Sequence, residues 1–250
     1  MAHVRALSVD IGVRAGGSAA EARAADYLEG RLRSWGYTVT RQAVPLPWGA
    51  SSVNVIAERA PGATWIVGAH LDSKPPSPGG NDNATGVAVL LECARLRAED
   101  GVRFVFFGAE EYPAQNRALG HHFGSRYYVG QMSAQERAAI SGVVVVDAVG
   151  GGPRFAIGTM RRGDALPRRL RVVAWKLGFR AVEDVDPGWS DHEPFFVAGI
   201  PTAYLRWRID DTLHTAADTY AHVRPEKVRA AFRVLQAFLG SVGKRSGSGR

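Results

Sequence analysis

A three-layer α/β sandwich, with a mixed and mostly parallel β-sheet covered by helices on both faces, is predicted by three features of this 250-residue chain. Its strongest strand candidates, Trp65-Ile66-Val67-Gly68-Ala69 and Val143-Val144-Val145-Val146, are unbroken apolar runs, the pattern of strands buried on both sides. Amphipathic stretches with helical spacing alternate with such runs, as βαβ units require. No internal repeat and no linker divides the chain, so residues 1–242 are expected to form one domain. The Gly/Ser/Lys/Arg segment 243–250 is expected to be a disordered tail.

The elements follow in order. Ser18, with Glu21 three residues on, is a capping-box start for a helix over 19–35. Its stripe is Ala24, Tyr27, Leu28, Leu32 and Trp35, and Gly36 supplies the stop. Residues 37–46 and 52–58 read as extended, with Pro45 and Pro47 breaking the first, and 64–70 reads as a buried strand. A Gly/Pro/Ser-rich loop over 74–80 leads to a helix over 83–98, carried by Val87, Leu90, Leu91 and Ala94. An apolar strand over 102–108 comes next, then helices over 123–131 and after Ser133, then the strand 143–146. A helix over 166–177 ends at Gly178, 202–207 reads as strand, and Pro225 at the first helical position opens a last helix through Leu239.

Composition removes several function classes. No apolar run approaches the ~20 residues that cross a bilayer, so membrane insertion is not expected. One cysteine, Cys93, allows no intramolecular disulfide and sits in an apolar stretch as a small buried residue. The net charge of +7 comes from scattered arginines and the tail, with no nucleic-acid-binding module, so no nucleic-acid partner is expected. No apolar leader precedes the domain. The cytoplasm is therefore the expected address of the chain as it stands, and export the alternative if a leader has been removed.

Three of the apolar strands run into acids or a histidine. The first reaches His70-Leu71-Asp72-Ser73, the second Glu110-Glu111 through Gly108-Ala109, and the third Asp147. In open α/β sheets ligands bind outside the carboxyl ends of the strands, so these groups can share one crevice. Carboxylates gathered there are costly unless a cation neutralises them. Imidazole and carboxylate without thiolate suit zinc. Taken singly, His70 also reads as a structural histidine, Glu110-Glu111 as a solvated strand end and Asp147 as a loop cap. Asp82 reads as a helix N-cap, although Asn81 can cap equally well.

The order of these motifs resembles the co-catalytic dizinc aminopeptidases, whose relatives are the glutaminyl cyclases and glutamate carboxypeptidases. The segments are His70-Leu71-Asp72-Ser73, Gly80-Asn81-Asp82-Asn83-Ala84-Thr85-Gly86, Phe107-Gly108-Ala109-Glu110-Glu111, Asp147-Ala148-Val149-Gly150, Ser190-Asp191-His192 and Leu213-His214-Thr215. Weaker similarity reaches Ile11-Gly12-Val13-Arg14. The resemblance implies the zinc aminopeptidase, phosphorylase/hydrolase-like form of the sandwich. It implies two zinc ions, His70 and Asp147 holding one, Glu111 and His214 the other, and Asp82 bridging them. It makes Glu110 the general base and Asp72 the acceptor for the far nitrogen of His70. Alternation along a strand also separates the tasks of Glu110 and Glu111, unless the strand has ended before them.

The implied function is a metallopeptidase taking peptide or small amide substrates, an aminopeptidase first. The alternatives are a one-zinc cyclase acting as an acyltransferase and a dipeptidase or carboxypeptidase. Asn83 after Asp82 fits the dizinc peptidases better than the cyclases. Tyr112, Asp191, His192 and Arg206 are candidate substrate contacts, and Arg206 with Arg208 could clamp a substrate carboxylate. Ser190 reads equally as a helix cap, Asp218 as orienting His214 or bonding loop backbone, and His121-His122 as surface or packing residues. Oligomeric state is not legible.

Overall fold

The structure is a computed structural model that describes residues 1–96, 101–111 and 120–242. Tyr112 and the 243–250 tail lie outside the described residues.

The chain opens with a short helix α1 (Ala2–Arg5) and a π-helical turn over Ala6–Ile11 that the sequence reading did not anticipate. Helix α2 (Ala19–Ser34) starts where expected, the Ser18 side chain accepting from Glu21 N. The second half of the capping box is diverted. Glu21 is buried and accepts instead from Gly17 N, Ser52 Oγ and Ala109 N, so it joins the helix start to two other segments.

Strands β1 (Thr38–Pro45), β2 (Ser51–Glu58), β3 (Trp65–His70), β4 (Val102–Phe107), β5 (Gly142–Val146), β6 (Arg154–Thr159), β7 (Val182–Val185) and β8 (Thr202–Arg208) form one sheet. Its order is β1-β2-β4-β3-β5-β8-β6-β7. The four central strands β4, β3, β5 and β8 are parallel, whereas β1, β2 and β6 pair antiparallel at the flanks. The expected mixed, mostly parallel sheet is present.

The remaining helices are α3 (Ala84–Arg95), α4 (Phe123–Gln131), α5 (Ala134–Ala139), α6 (Ala165–Lys176), α7 (His192–Val197) and α8 (Pro225–Val242). Alternate residues of the central strands feed two cores. Val67, Ala69, Phe104, Phe106, Val144, Val146, Ala203 and Leu205 pack with α2, α3, α6 and α8. Ile66, Val105, Phe107, Val143, Val145 and Tyr204 pack with α4 and α7 on the other face. There Phe107, Tyr128 and Phe195 form a mutual aromatic trio with centroids 5.9–6.0 Å apart. Burial on both faces is the physical reason these strands are unbroken apolar runs.

β3 lies between β4 and β5; the chain leaves β3 toward β4 on one side and leaves β5 toward β6 on the other. That is a topological switch point, and the crevice opens at the carboxyl ends of these three strands.

Candidate metal centre

Parallel pairing sets the level of the site. His70, the last residue of β3, stands beside Phe107 at the end of β4. Asp147 follows β5 directly, its N–H donating to Leu205 O. β4 ends at Phe107, before the paired glutamates, so strand alternation does not separate Glu110 from Glu111. A turn does. Ala109 adopts φ 48, and the chain bends so that both glutamate N–H groups donate to Asp72, Glu110 N to Oδ1 at 3.0 Å and Glu111 N to Oδ2 at 3.1 Å. His70 Nδ1 is 3.3 Å from Asp72 Oδ1 but out of line for a hydrogen bond. Asp72 thus acts first on the backbone of the two glutamates.

The loop carrying Asp82 is fixed from three sides. Asp218 accepts from Asn81 N at 2.6 Å and from Asp82 N at 3.0 Å, so it bonds this loop's backbone rather than His214. Asn83, not Asp82 or Asn81, caps α3 by accepting from Gly86 N. Its amide also donates to Val146 O, and its carbonyl oxygen accepts from Ala148 N, tying the Asp82 loop to the Asp147 loop. Gly86 is needed for this closeness, since a Cβ there would lie 2.2 Å from Val146 O. Asp82 is left free of capping.

Two clusters share that free carboxylate. Asp82 Oδ1 is 3.0 Å from His70 Nε2, which is also 3.3 Å from Asp147 Oδ1. Asp82 Oδ2 is 3.2 Å from His214 Nε2, which is 3.0 Å from Glu111 Oε1. Both sets, His70/Asp82/Asp147 and Asp82/Glu111/His214, are compact enough to hold a metal ion. The second oxygen of Asp147 accepts from Ser190 Oγ at 2.8 Å and Tyr204 Oη at 3.2 Å. Ser190 is therefore a partner of this carboxylate. Tyr204 stands in the middle of a strand that reads as plain core, so nothing in its local sequence marks it as a partner of Asp147.

The electrostatics are those of crowded opposite charge in a dry place. Burial pulls the His70 imidazole down, but the Asp147 and Glu110 carboxylates outweigh it and its pKa ends well above the ordinary value. Hydrogen bonds to Asp82 and Glu111 carry His214 up to about 10. Burial pushes Glu110 up to about 8, opposed by His70 and His122. Burial and then the Asp82 charge raise Glu111.

All five non-glycine residues with positive φ among the described residues border this centre: Ala109, His122, Ala148, Ile209 and His214. Each such conformation costs about 1–3 kcal/mol, and strain of this kind gathers where the fold must aim side chains. A cavity of about 560 Å³ opens onto the cluster, lined by Asp82, Glu110, Glu111, Asp147 and His214 together with Trp189 and Arg206 among others.

Other anticipated contacts are placed differently. Asp191 is fully buried, with no hydrogen-bond partner for either oxygen among the described residues, and is not among the residues that line the cavity. His192 is also behind the wall. It stacks on Tyr204 at 4.7 Å, with Nε2 3.2 Å from Asp186 Oδ1. Arg206 faces the cavity, but its Nε donates to Asp184 Oδ2, and Arg208 Nη1 donates to Asp184 Oδ1. The two arginines grip the protein's own carboxylate.

Of the two readings of His121-His122, surface or packing, the structure gives packing for His122. His122 is completely buried, its Nε2 3.0 Å from Glu110 Oε1 and its Nδ1 3.4 Å from Glu193 Oε2. The cause is a short backbone ladder in which His122 N, Phe123 N and Gly124 N donate to Glu110, Ala109 and Gly108 carbonyls. No local pattern signals that pairing.

Residues 54–239 match the sequence profile described as Peptidase family M28. The chain is 34% identical over 219 residues to leupeptin-inactivating enzyme 1 of Streptomyces exfoliatus, covering 82% of this chain and 48% of the relative. The chain thus spans about half the length of that curated relative. In structure it is similar to a zinc aminopeptidase from Bacillus subtilis, with a TM-score of 0.83, 20% identity, and coverage of 96% and 93% of the two chains. It is equally similar to the glutaminyl cyclase of Porphyromonas gingivalis, with a TM-score of 0.84, 24% identity and 96% of each chain covered. At such identities these structures establish the fold alone.

Proposed function

The chain belongs to Peptidase family M28, and from that premise we propose that it is a zinc metallo-aminopeptidase, removing amino-terminal residues from peptides. The observation that carries the metal part is Asp82, whose two oxygens each face a different imidazole nitrogen. Each imidazole nitrogen also faces a second carboxylate, and one ring proton cannot serve both oxygens. A cation can, and imidazole with carboxylate is a donor set that suits zinc. His70 and Asp147 would hold one ion, Glu111 and His214 the other, with Asp82 between them. The name of the structurally similar Bacillus subtilis protein, a zinc aminopeptidase, supports zinc and amino-terminal cleavage.

When bound, paired zinc ions polarise a scissile carbonyl and acidify the attacking water. The chain's own residues do the rest. Glu110, which lines the cavity, accepts the proton of the attacking water on its carboxylate and returns it to the leaving amine nitrogen. Burial brings its proton affinity near neutrality, which suits a group that must both take and give. Asp72 keeps Glu110 and Glu111 in register by holding both backbone N–H groups. Ser190 and Tyr204 orient Asp147. The cavity has the size of a small-ligand pocket, room for a chain end rather than a long extended peptide.

A carboxypeptidase is the weaker reading, because Arg206 and Arg208 are both engaged by Asp184. A panel of aminoacyl chromogenic substrates, free or amino-blocked, tests the proposal. Hydrolysis of the free-amine substrates that chelator abolishes and zinc restores is the expected result. Turnover of blocked substrates alone, or activity indifferent to chelator, would overturn it.

A further inference from the structure

A third group of metal-capable side chains lies beside the shared-carboxylate centre: Glu110, His121 and His122. His122 Nε2 is 3.0 Å from Glu110 Oε1 and 2.6 Å from His121 Nδ1. This repeats the pattern of His70 and His214, where one ring nitrogen faces two lone-pair donors at once. A single N–H aims well at one acceptor only, whereas a cation can take all three lone pairs.

The surroundings are those of a ligating histidine. The far nitrogen of such a histidine usually meets a carboxylate, which fixes the ring. Here His122 Nδ1 is 3.4 Å from Glu193 Oε2, and Arg126 Nη2 holds that same oxygen at 3.1 Å. His122 is buried, while His121 and Glu110 both reach the cavity wall, so an ion has a route in. Two imidazoles and one carboxylate are a set found at zinc sites with an open position.

We propose that Glu110, His121 and His122 form a third, weaker zinc site whose occupation inhibits the enzyme. Binding there engages the lone pair that Glu110 needs to accept the proton of the attacking water. Excess metal therefore removes the general base while leaving the Asp82-centred ligands intact. The inhibitory consequence rests on the role given to Glu110 above; the binding itself does not.

The test compares the wild type with His121→Asn and His122→Gln at rising free zinc. Protein is separated from free metal by ultrafiltration, zinc per chain is counted, and aminoacyl-substrate hydrolysis is followed in parallel. In excess zinc the wild type is expected to hold one more ion per chain than either variant. As that ion binds, its rate should fall by roughly 100-fold, while each variant keeps its own rate. Equal zinc counts in the three proteins would overturn the proposal, as would inhibition that follows the same curve in all three. His121 is only half-buried, so His121→Asn keeps the comparison open if His122→Gln does not fold. If the Asp82-centred assignment is the part that fails, the tightly held ions are missing from all three proteins and the one-ion difference is still read.

Discussion

Glu110 and Glu111 are sequence neighbours turned to different partners, since Ala109 at φ 48 bends the chain so that Glu111 meets His214 and Glu110 meets His122. Glu110→Gln keeps the volume and removes the base, so zinc content should be unchanged while kcat falls by about 10²–10⁴. Metal analysis beside steady-state kinetics checks this, and near-normal kcat with full zinc would remove Glu110 from its role. His214 gives a pH prediction. In the metal-free protein its pKa is up from 6.5 to about 10, so the stability it lends the metal-free fold is complete below 6.5 and is lost as pH rises through 10. A zinc ion needs the same lone pair, so loading at neutral pH should expel a proton, and affinity should rise with pH across that range. Calorimetry in two buffers of different ionisation heat reads the proton directly. His70, Glu111 and Asp147 were legible as polar ends of apolar strands. His122 was not, because its place depends on a ladder closed across the segment between Glu111 and Gly120.

Helices and central strands were readable because they are long and periodic, while the elements missed are short or mixed. β7 contains Val182-Glu183-Asp184-Val185, with both valines exposed at the sheet edge, so it lacks any apolar face to betray it. The helix start at 84 was shifted by a residue because Asn83 caps it, which frees Asp82 for the centre. The Ile11-Gly12-Val13-Arg14 segment proves to be structural. Arg14 is fully buried and donates to the carbonyls of Leu71, Leu7, Gly12, Pro78 and Gly79, joining the amino-terminal turn, the end of β3 and the loop before Asp82. Lysine cannot reproduce that planar fan of donors. Arg14→Lys should cost roughly 3 kcal/mol through carbonyls left unpaired, measured by urea unfolding. It should also weaken zinc retention, because the loop it holds leads directly to Asp82. A variant as stable as the wild type would show that those bonds are dispensable.

At the scale of the molecule, the fold's contribution is to bring residues from positions 70, 82, 111, 147 and 214 to one end of the sheet. The chain leaves the neighbouring strands β3 and β5 toward opposite sides of the sheet, and residues of the loops after β8 and before α3 line the cavity. The sheet's parallel centre was legible from continuous apolar runs, whereas the antiparallel joining of β6 to β8 was not, since pairing partners leave no mark in a single strand. The central claim is that Asp82 is shared by two metal ions. Zinc titration of the metal-free protein, with protein-bound metal counted at each addition, tests it most directly. Two tightly held ions per chain are expected in the wild type, with hydrolysis of aminoacyl substrates rising as they bind, and weakened retention of both in Asp82→Ala. One tight ion per chain with full activity, or an Asp82→Ala protein that still holds two, would contradict it.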